Sequence, residues 1–124
     1  MSLKEFEAVI QRVGEEAWFK GNVDALDEAY AADYISHKPP FPDTNGLEAV
    51  KKSIATTRLA YSDIQATYTD WITEDDRIAY RYTMNMKHTG VSPTLPIPPT
   101  GKEVTLQGCI VVHVKDGKVI EEWE

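Results

Sequence analysis

The chain has a single cysteine, Cys109, and no apolar run long enough to cross a membrane. One thiol excludes a disulfide within the chain and is typical of proteins kept in a reducing compartment. The N-terminus also lacks the charged-then-apolar pattern of a secretory signal. We therefore expect a cytoplasmic protein that does not insert into a membrane.

Basic residues are scarce and scattered. The chain has 13 Lys and Arg against 20 Asp and Glu, for a net charge of -7, and its longest basic run is Lys51-Lys52. Nucleic-acid binding needs clustered positive charge, so this composition argues against such a partner. With 124 residues, 42% of them hydrophobic, the chain is long enough to bury a core, and we expect a single domain over residues 1–124.

Motifs for metals and cofactors are also absent. The three histidines, at positions 37, 88 and 113, are not at metal-ligand spacing from one another or from the acidic residues. There is no glycine-rich phosphate loop, no dinucleotide fingerprint and no Gly-x-Ser-x-Gly elbow. We therefore expect neither a metal site nor a cofactor.

Helical spacing dominates the first half of the chain. Apolar residues from Leu3 to Ala17 recur at steps of three and four, which predicts an amphipathic helix over residues 3–20 that ends at Gly21. A second short helix is predicted over residues 24–31, and a third over residues 46–59. Asn45 and Glu48 have the spacing of a capping box for the third helix.

The period changes to two from Ser62 onward, which is typical of strands. Asp116-Gly117 is a strong signal for a two-residue hairpin, and the prolines between Gly90 and Gly101 predict a loop. A short strand is also expected at residues 34–37, between the second and third predicted helices. Helices followed by a mostly antiparallel sheet indicate an α+β domain. The predicted later strands cover residues 64–73, 78–88, 104–114 and 119–123.

Four segments occur in an order that resembles a known family. They are Asp33-Tyr34-Ile35-Ser36-His37, His88-Thr89-Gly90, Pro98-Pro99-Thr100-Gly101-Lys102, and Asp116-Gly117-Lys118 followed by Glu121-Glu122-Trp123. In this order and spacing the chain resembles the SnoaL-like polyketide cyclases of the NTF2-like superfamily. The resemblance implies a cone-shaped α+β barrel, in which three N-terminal helices pack on a curved sheet around a pocket. It also implies a homodimer that pairs through the outer sheet face, where Arg81, Thr83 and Asn85 alternate.

Three residues are candidate acid/base groups. In the cyclases the last motif commonly ends in an Asp with that role, and Glu124 stands in its place here. By resemblance His37 points into the pocket, and His88 lies on the apolar face of its strand. The alternatives are a loop histidine at position 37 and a packed histidine at position 88 whose ring bonds a loop carbonyl.

The other two acidic residues near the chain end are not candidates. We expect Glu121 and Glu122 to lie on a solvated edge, as runs of acids usually do. One apolar residue, in contrast, weighs against the cyclase reaction. The cyclases place a polar partner, often histidine, where this chain has Ile110. An isoleucine cannot move a proton, so the family's catalytic pair is at best half present.

Aromatic and sulfur-containing side chains are candidates to line a pocket. Flat rings favour an aromatic or polycyclic ligand, and tyrosine hydroxyls supply polar contacts, including donors to an enolate. The alternative is that these residues simply fill the core. The candidates are Trp18, Tyr30, Tyr34, Tyr82, Met84, Cys109 and Trp123.

Three functions remain open from the sequence. The first is a cofactor-free enzyme acting on a hydrophobic carbonyl compound, by intramolecular aldol cyclisation or by a related isomerisation or dehydration of the lyase type. The second is a non-catalytic domain that binds a small hydrophobic molecule. The third is an oligomerisation module with a filled core. An enzyme requires a cavity of a few hundred Å³ that holds at least two ionisable groups.

Overall fold

The computed structural model describes all residues, 1–124, as two α-helices, one 3-10 helix and six strands. The α+β class predicted from the sequence is confirmed. In chain order the elements are α1 (Leu3–Lys20), the 3-10 helix (Val23–Glu28), β1 (Tyr30–His37), β2 (Thr44–Asn45), α2 (Leu47–Ala60), β3 (Tyr61–Glu74), β4 (Arg77–His88), β5 (Glu103–Lys115) and β6 (Lys118–Trp123).

The first helix has the boundaries predicted from its apolar spacing. At its start the Ser2 hydroxyl accepts from the Glu5 amide at 3.1 Å, and the Glu5 carboxylate accepts from the Ser2 amide at 3.2 Å. This reciprocal pair satisfies two amides that the first turn would leave unpaired. At the other end Gly21 adopts a φ of 78°, the left-handed conformation that commonly ends a helix.

Two predictions for the first half of the chain are wrong in detail. The predicted helix 24–31 is a 3-10 helix that ends at Glu28, because Tyr30 already pairs with Val119 as the first residue of β1. The capping box predicted at Asn45 does not form. Asn45 belongs to β2, and Gly46, with no side-chain cap, precedes α2.

All six strands form one sheet in the order β2-β1-β6-β5-β4-β3. Only β1 and β6 are parallel, and the other neighbours are antiparallel. The edge strands β2 and β3 do not pair with each other, so the barrel implied by the resemblance is not closed. Two bulges in β3, at Asp63 (φ 51°) and Asp70 (φ 57°), bend that long edge strand.

The alternation predicted for the two central strands is confirmed. Tyr80, Met84 and Met86 of β4 are buried on the inner face, whereas Arg81 and Asn85 between them are exposed. Since β4 and β5 pair in register from Arg77↔His113 to Lys87↔Glu103, the even-numbered residues of both strands share that inner face.

The main core fills the space between α1 and one end of the sheet. Ile10 and Val13 of α1 pack in the same buried cluster as Ile78, Val112 and Val119. Each of these five side chains has at most 2% of its surface exposed, so burial of each stabilises the fold by roughly 1.5–3 kcal/mol. Farther along the inner face the side chains do not meet, and a cavity remains.

Candidate functional site

The cavity lies between the two helices and the inner face of the sheet, and its volume is about 360 Å³. That size falls in the range of small-molecule pockets. Its wall is mostly aromatic and aliphatic, and Phe41, Pro42 and Leu106 lie at an open rim where Phe41 is 67% exposed. The aromatic and sulfur-containing wall residues are Trp18, Phe41, Tyr30, Tyr34, Tyr68, Tyr80, Tyr82, Met84 and Met86.

Two carboxyl groups project into this cavity from the end of β6 and the residue after it, Glu122 and Glu124. A bulge places them there. His113 pairs with Glu121 and Val114 pairs with Val119, so Ile120 is the extra residue between those pairs. The extra residue shifts the alternation, and Val119 and Glu122 therefore both face inward.

Glu122 is almost fully enclosed, with 9% of its surface exposed. Burial raises the pKa of its carboxyl from 4.5 to about 7, and the negative charge of Glu124 adds to that rise. The Tyr34 hydroxyl, as a hydrogen-bond donor, and the positive charge of Lys38 oppose it. Near neutral pH this carboxyl therefore exchanges between its neutral and ionised forms.

Glu124 is held in one position by three contacts. The Tyr82 hydroxyl donates to its Oε2 at 2.6 Å, and Lys38 Nζ lies 3.2 Å from the same atom. The Glu124 amide donates to the His37 carbonyl at 2.9 Å, which continues the β1–β6 pairing past the end of the strand. Because these donors satisfy the ionised form, Glu124 supplies a fixed negative charge beside Glu122.

The tyrosines of the wall keep their protons at physiological pH. Burial raises the pKa of Tyr30 and Tyr80 well above 10, and burial followed by the charge of Glu122 raises the pKa of Tyr34. Burial raises the pKa of Tyr68 to about 12. Their hydroxyls are therefore hydrogen-bond donors, and they lie in the wall beside the two carboxyls.

Tyr82 depends on a glycine of the neighbouring strand. Gly108 pairs with Tyr82 across β4 and β5, and a Cβ at position 108 would lie 2.8 Å from both the Cε1 and the hydroxyl oxygen of the tyrosine. The tyrosine ring thus lies directly on the backbone of β5. That position directs its hydroxyl to Glu124.

His37, expected in the pocket, lies on the opposite face of the sheet. Tyr34, Ser36 and Lys38 line the cavity, and since side chains alternate along a strand, His37 points away from it. Its ring stacks on Trp123 with centroids 5.2 Å apart. A direct proton transfer from His37 to a molecule in the cavity does not fit this placement.

His88 lies on the inner face as predicted, but it is packed beyond the cavity. Only 4% of its surface is exposed, and its ring packs against Tyr61 with centroids 5.6 Å apart. Its Nδ1 accepts from the Thr100 amide at 3.3 Å and lies 3.0 Å from the Thr100 hydroxyl. His88 is not among the residues of the cavity wall, so it is packed as its alternative interpretation expected, but its ring bonds the amide and hydroxyl of Thr100 and not a loop carbonyl.

The predicted binding residues divide between the two faces of the sheet. Cys109 and Trp123 do not line the cavity, because their positions alternate outward with those of Gly108 and Glu122. Cys109 is exposed opposite Arg81, so it does not fill the core either, which was the alternative for these residues. The five remaining predictions, Trp18, Tyr30, Tyr34, Tyr82 and Met84, all line the cavity.

Glu122 is the residue that sequence reasoning missed. It was expected on a solvated edge, yet it is the most deeply buried carboxyl of the cavity. The alternation of side chains along the strand could have identified it. Glu122 shares a face with Glu124, the residue expected to act, and Trp123 between them necessarily faces the other way. Ile110, at the position where the resemblance implies a polar partner, also lines the cavity.

No three His, Cys, Asp or Glu side chains are grouped closely enough to hold a metal ion. No helix combines the length and the apolar character needed to span a bilayer.

The sequence was compared with models of known protein families. The family described as SnoaL-like polyketide cyclase matches residues 8–124. The chain belongs to this family. A comparison with curated proteins finds no match.

Solved structures share the fold at low sequence identity. A candidate SnoaL-like polyketide cyclase from Jannaschia sp. CCS1 is 19% identical with a TM-score of 0.84, over 99% of this chain and 87% of that one. IdmH, a candidate polyketide cyclase from Streptomyces antibioticus, is 24% identical with a TM-score of 0.77, over 94% and 88%. AclR, a candidate hydroxylase from Streptomyces galilaeus, is 24% identical with a TM-score of 0.81, over 98% and 74%. These likenesses establish the NTF2-like fold.

Proposed function

We propose that this protein is a cofactor-free acid/base enzyme of the polyketide-cyclase type, with Glu122 as the group that removes and returns a proton. The observation that carries the proposal is a buried carboxyl, Glu122, in the cavity wall beside Glu124, where burial and the charge of Glu124 raise its pKa to about 7. A general base works best when its pKa lies near the operating pH. A carboxyl whose pKa is raised by burial and by a neighbouring carboxylate is a recurring arrangement for proton transfer.

The reaction would be an intramolecular aldol closure. Ionised Glu122 takes a proton from the carbon next to a carbonyl, and the resulting enolate carbon forms a bond to a second carbonyl carbon of the same molecule. The oxygen of that second carbonyl becomes an alkoxide and takes the proton back from Glu122, so no atom is gained or lost. Isomerisation, or dehydration of the product, would use the same first step.

Other residues of the wall have supporting roles in this scheme. Once Glu122 has taken the proton, the Tyr34 hydroxyl that donated to its ionised form would be free to donate to an enolate oxygen and so stabilise the developing charge. Glu124, held by Tyr82 and Lys38, keeps Glu122 basic. The aromatic wall suits a hydrophobic ligand with flat rings, in line with the expectation from the sequence.

Proton removal can be tested without the natural substrate. We would follow deuterium uptake next to the carbonyl of 2-tetralone in D₂O by proton NMR, as a function of pH. The protein should accelerate the exchange, Glu122→Gln should lose the acceleration, and the matched exposed variant Glu74→Gln should keep it. If Glu122→Gln exchanges the probe as fast as the unaltered protein, Glu122 is not the base.

A non-catalytic binding domain is the second candidate, and one observation favours it. Ile110 lines the cavity where the cyclases carry a polar partner, so one of the family's two polar groups is replaced by an apolar one. Under this reading 2-tetralone would bind, and its signals would shift, while deuterium uptake stayed at the rate seen without protein. The same NMR samples therefore separate the two candidates.

We also propose a cytoplasmic homodimer. The outer face of β4 presents Arg81, Thr83 and Asn85, with Cys109 of β5 beside Arg81, as a broad surface away from the cavity. Light scattering should give twice the 14.0 kDa of one chain, and a value of one chain would contradict the dimer. Cell fractionation that recovers the protein with membranes or outside the cell would contradict the location.

A further inference from the structure

His37 bridges two carboxylates on the outer face of the sheet. Its Nδ1 lies 2.9 Å from Oδ1 of Asp43, and its Nε2 lies 2.6 Å from Oε2 of Glu121. Asp43 belongs to the loop between β1 and β2, whereas Glu121 belongs to β6 next to Glu122. The imidazole ring therefore links a loop to the strand that carries the buried carboxyl.

Both contacts require a protonated ring. A neutral imidazole has one N–H donor and one nitrogen lone pair, so it can donate to only one of the two carboxylates, while the protonated ring donates to both. The hydrogen bond to Glu121, followed by that to Asp43, raises the pKa of His37 above its usual value of 6.5. The ring therefore keeps its charge to higher pH than an ordinary histidine.

The loop that His37 holds forms part of the cavity mouth. Between β1 and Asp43 it contributes Lys38, Phe41 and Pro42 to the cavity wall. Phe41 lies at the rim of the cavity with 67% of its surface exposed, so few contacts of its own side chain hold it in place. Within the loop, one backbone hydrogen bond, from the Phe41 amide to the Lys38 carbonyl at 2.9 Å, closes a turn.

We propose that His37 is a positioning residue, which fixes the loop of residues 38–43 over the cavity mouth by bridging Asp43 to Glu121. Any effect of this bridge on turnover depends on the proposed function, whereas the positioning of the loop does not. It assigns a role to the histidine that the alternation of β1 keeps out of the cavity. When the ring is neutral it can donate to only one of the two carboxylates, so the bridge from Asp43 to Glu121 is broken and the loop is held less firmly.

No other charged group competes for the ring. On its own strand the next residue, Lys38, is directed to Glu124 at 3.2 Å. From β6, Trp123 stacks on the ring, and the guanidinium of Arg77 on β4 lies over Trp123, 5.7 Å from a ring centroid. Asp43 and Glu121 are thus the two acidic groups that face His37.

The motion of Phe41 is the direct readout. Its neighbours in the loop are prolines, which have no amide N–H to observe by NMR. We would measure its α-carbon order parameter by NMR relaxation between pH 5.5 and 9. In the unaltered protein it should stay near 0.85 while His37 is charged and fall below about 0.6 as the ring loses its proton. In Asp43→Asn it should be low throughout, and the ring should titrate at lower pH.

Two further variants make the outcome decisive. Asp33→Asn removes an exposed carboxylate from the same strand and should behave as the unaltered protein. Glu122→Gln should abolish proton transfer and leave the Phe41 titration in place, so failure of the proposed function does not decide this inference. The inference is overturned if Phe41 is equally ordered in Asp43→Asn and in the unaltered protein at pH 6, or if its order does not change as His37 titrates.

Discussion

The unaltered protein should lose stability as the pH rises through the titration of Glu122, and replacing Glu122 with glutamine should remove that loss. The folded protein holds a proton on this carboxyl up to about pH 7, whereas the unfolded chain releases it at about pH 4.5. Between those values the folded state binds more protons, so stability falls as pH rises. A difference of about 2.5 pKa units, at 1.36 kcal/mol each, amounts to roughly 3 kcal/mol.

A glutamine side chain does not titrate, so the variant does not lose this part of its stability as the pH rises. Its unfolding free energy relative to the unaltered protein should therefore improve by about 3 kcal/mol between pH 4 and pH 8. His37 also titrates in this interval, but it is present in both proteins and its contribution cancels. Any fixed cost of burying the amide is the same at both pH values and cancels as well.

Urea unfolding at pH 4, 6 and 8 measures the difference directly. Glu74→Gln, at the exposed end of β3, is the matched control, and its stability relative to the unaltered protein should not vary with pH by more than about 0.5 kcal/mol. If Glu122→Gln follows the control, then Glu122 is not a buried carboxyl with a raised pKa, and the reasoning from its burial fails.

Three further substitutions test other parts of the account. Gly108→Ala should cost about 1–3 kcal/mol and weaken proton transfer, because the new methyl group meets the Tyr82 ring at 2.8 Å; urea unfolding and deuterium uptake would show it. Tyr34→Phe should raise the pKa of Glu122 further, because the hydroxyl that favours the ionised form is lost; carbon NMR of the carboxyl measures this. Lys51→Met should cost about 1 kcal/mol, and less at high salt, because the amine joins α2 to Asp24 and Asp27 of the 3-10 helix and also pairs with Glu48 of its own helix. Unchanged melting would contradict this.

Much of the fold follows from the sequence, because long periodic segments specify their own structure. The helix 3–20 has the predicted ends, and the strand predicted at 78–88 is found at Arg77–His88. The hairpin at Asp116-Gly117 forms with φ values of 52° and 74°, the conformation that this residue pair favours. Short segments were less predictable. Tyr30 joined β1 rather than a helix because its partner Val119 lies far along the chain.

The site was less predictable, for two physical reasons. Periodicity shows which side chains share a face, but not whether the space in front of them is filled; the gap beside Tyr80 and Tyr82 depends on how α1 and α2 lie over the sheet. The second reason is the bulge at Ile120, which changes the phase of β6. Alternation along β1 alone was enough to place His37 opposite to Tyr34, so that error was avoidable.

The most direct measurement is a carbon NMR titration of the Glu122 side-chain carboxyl, assigned by comparison with Glu122→Gln. We expect a midpoint near pH 7, which drops if the charge of Glu124 is removed by Glu124→Gln. A midpoint near 4.5 that is insensitive to position 124 would mean that the carboxyl is solvated, and the cavity would then lack the proton-transfer group on which the proposed chemistry depends.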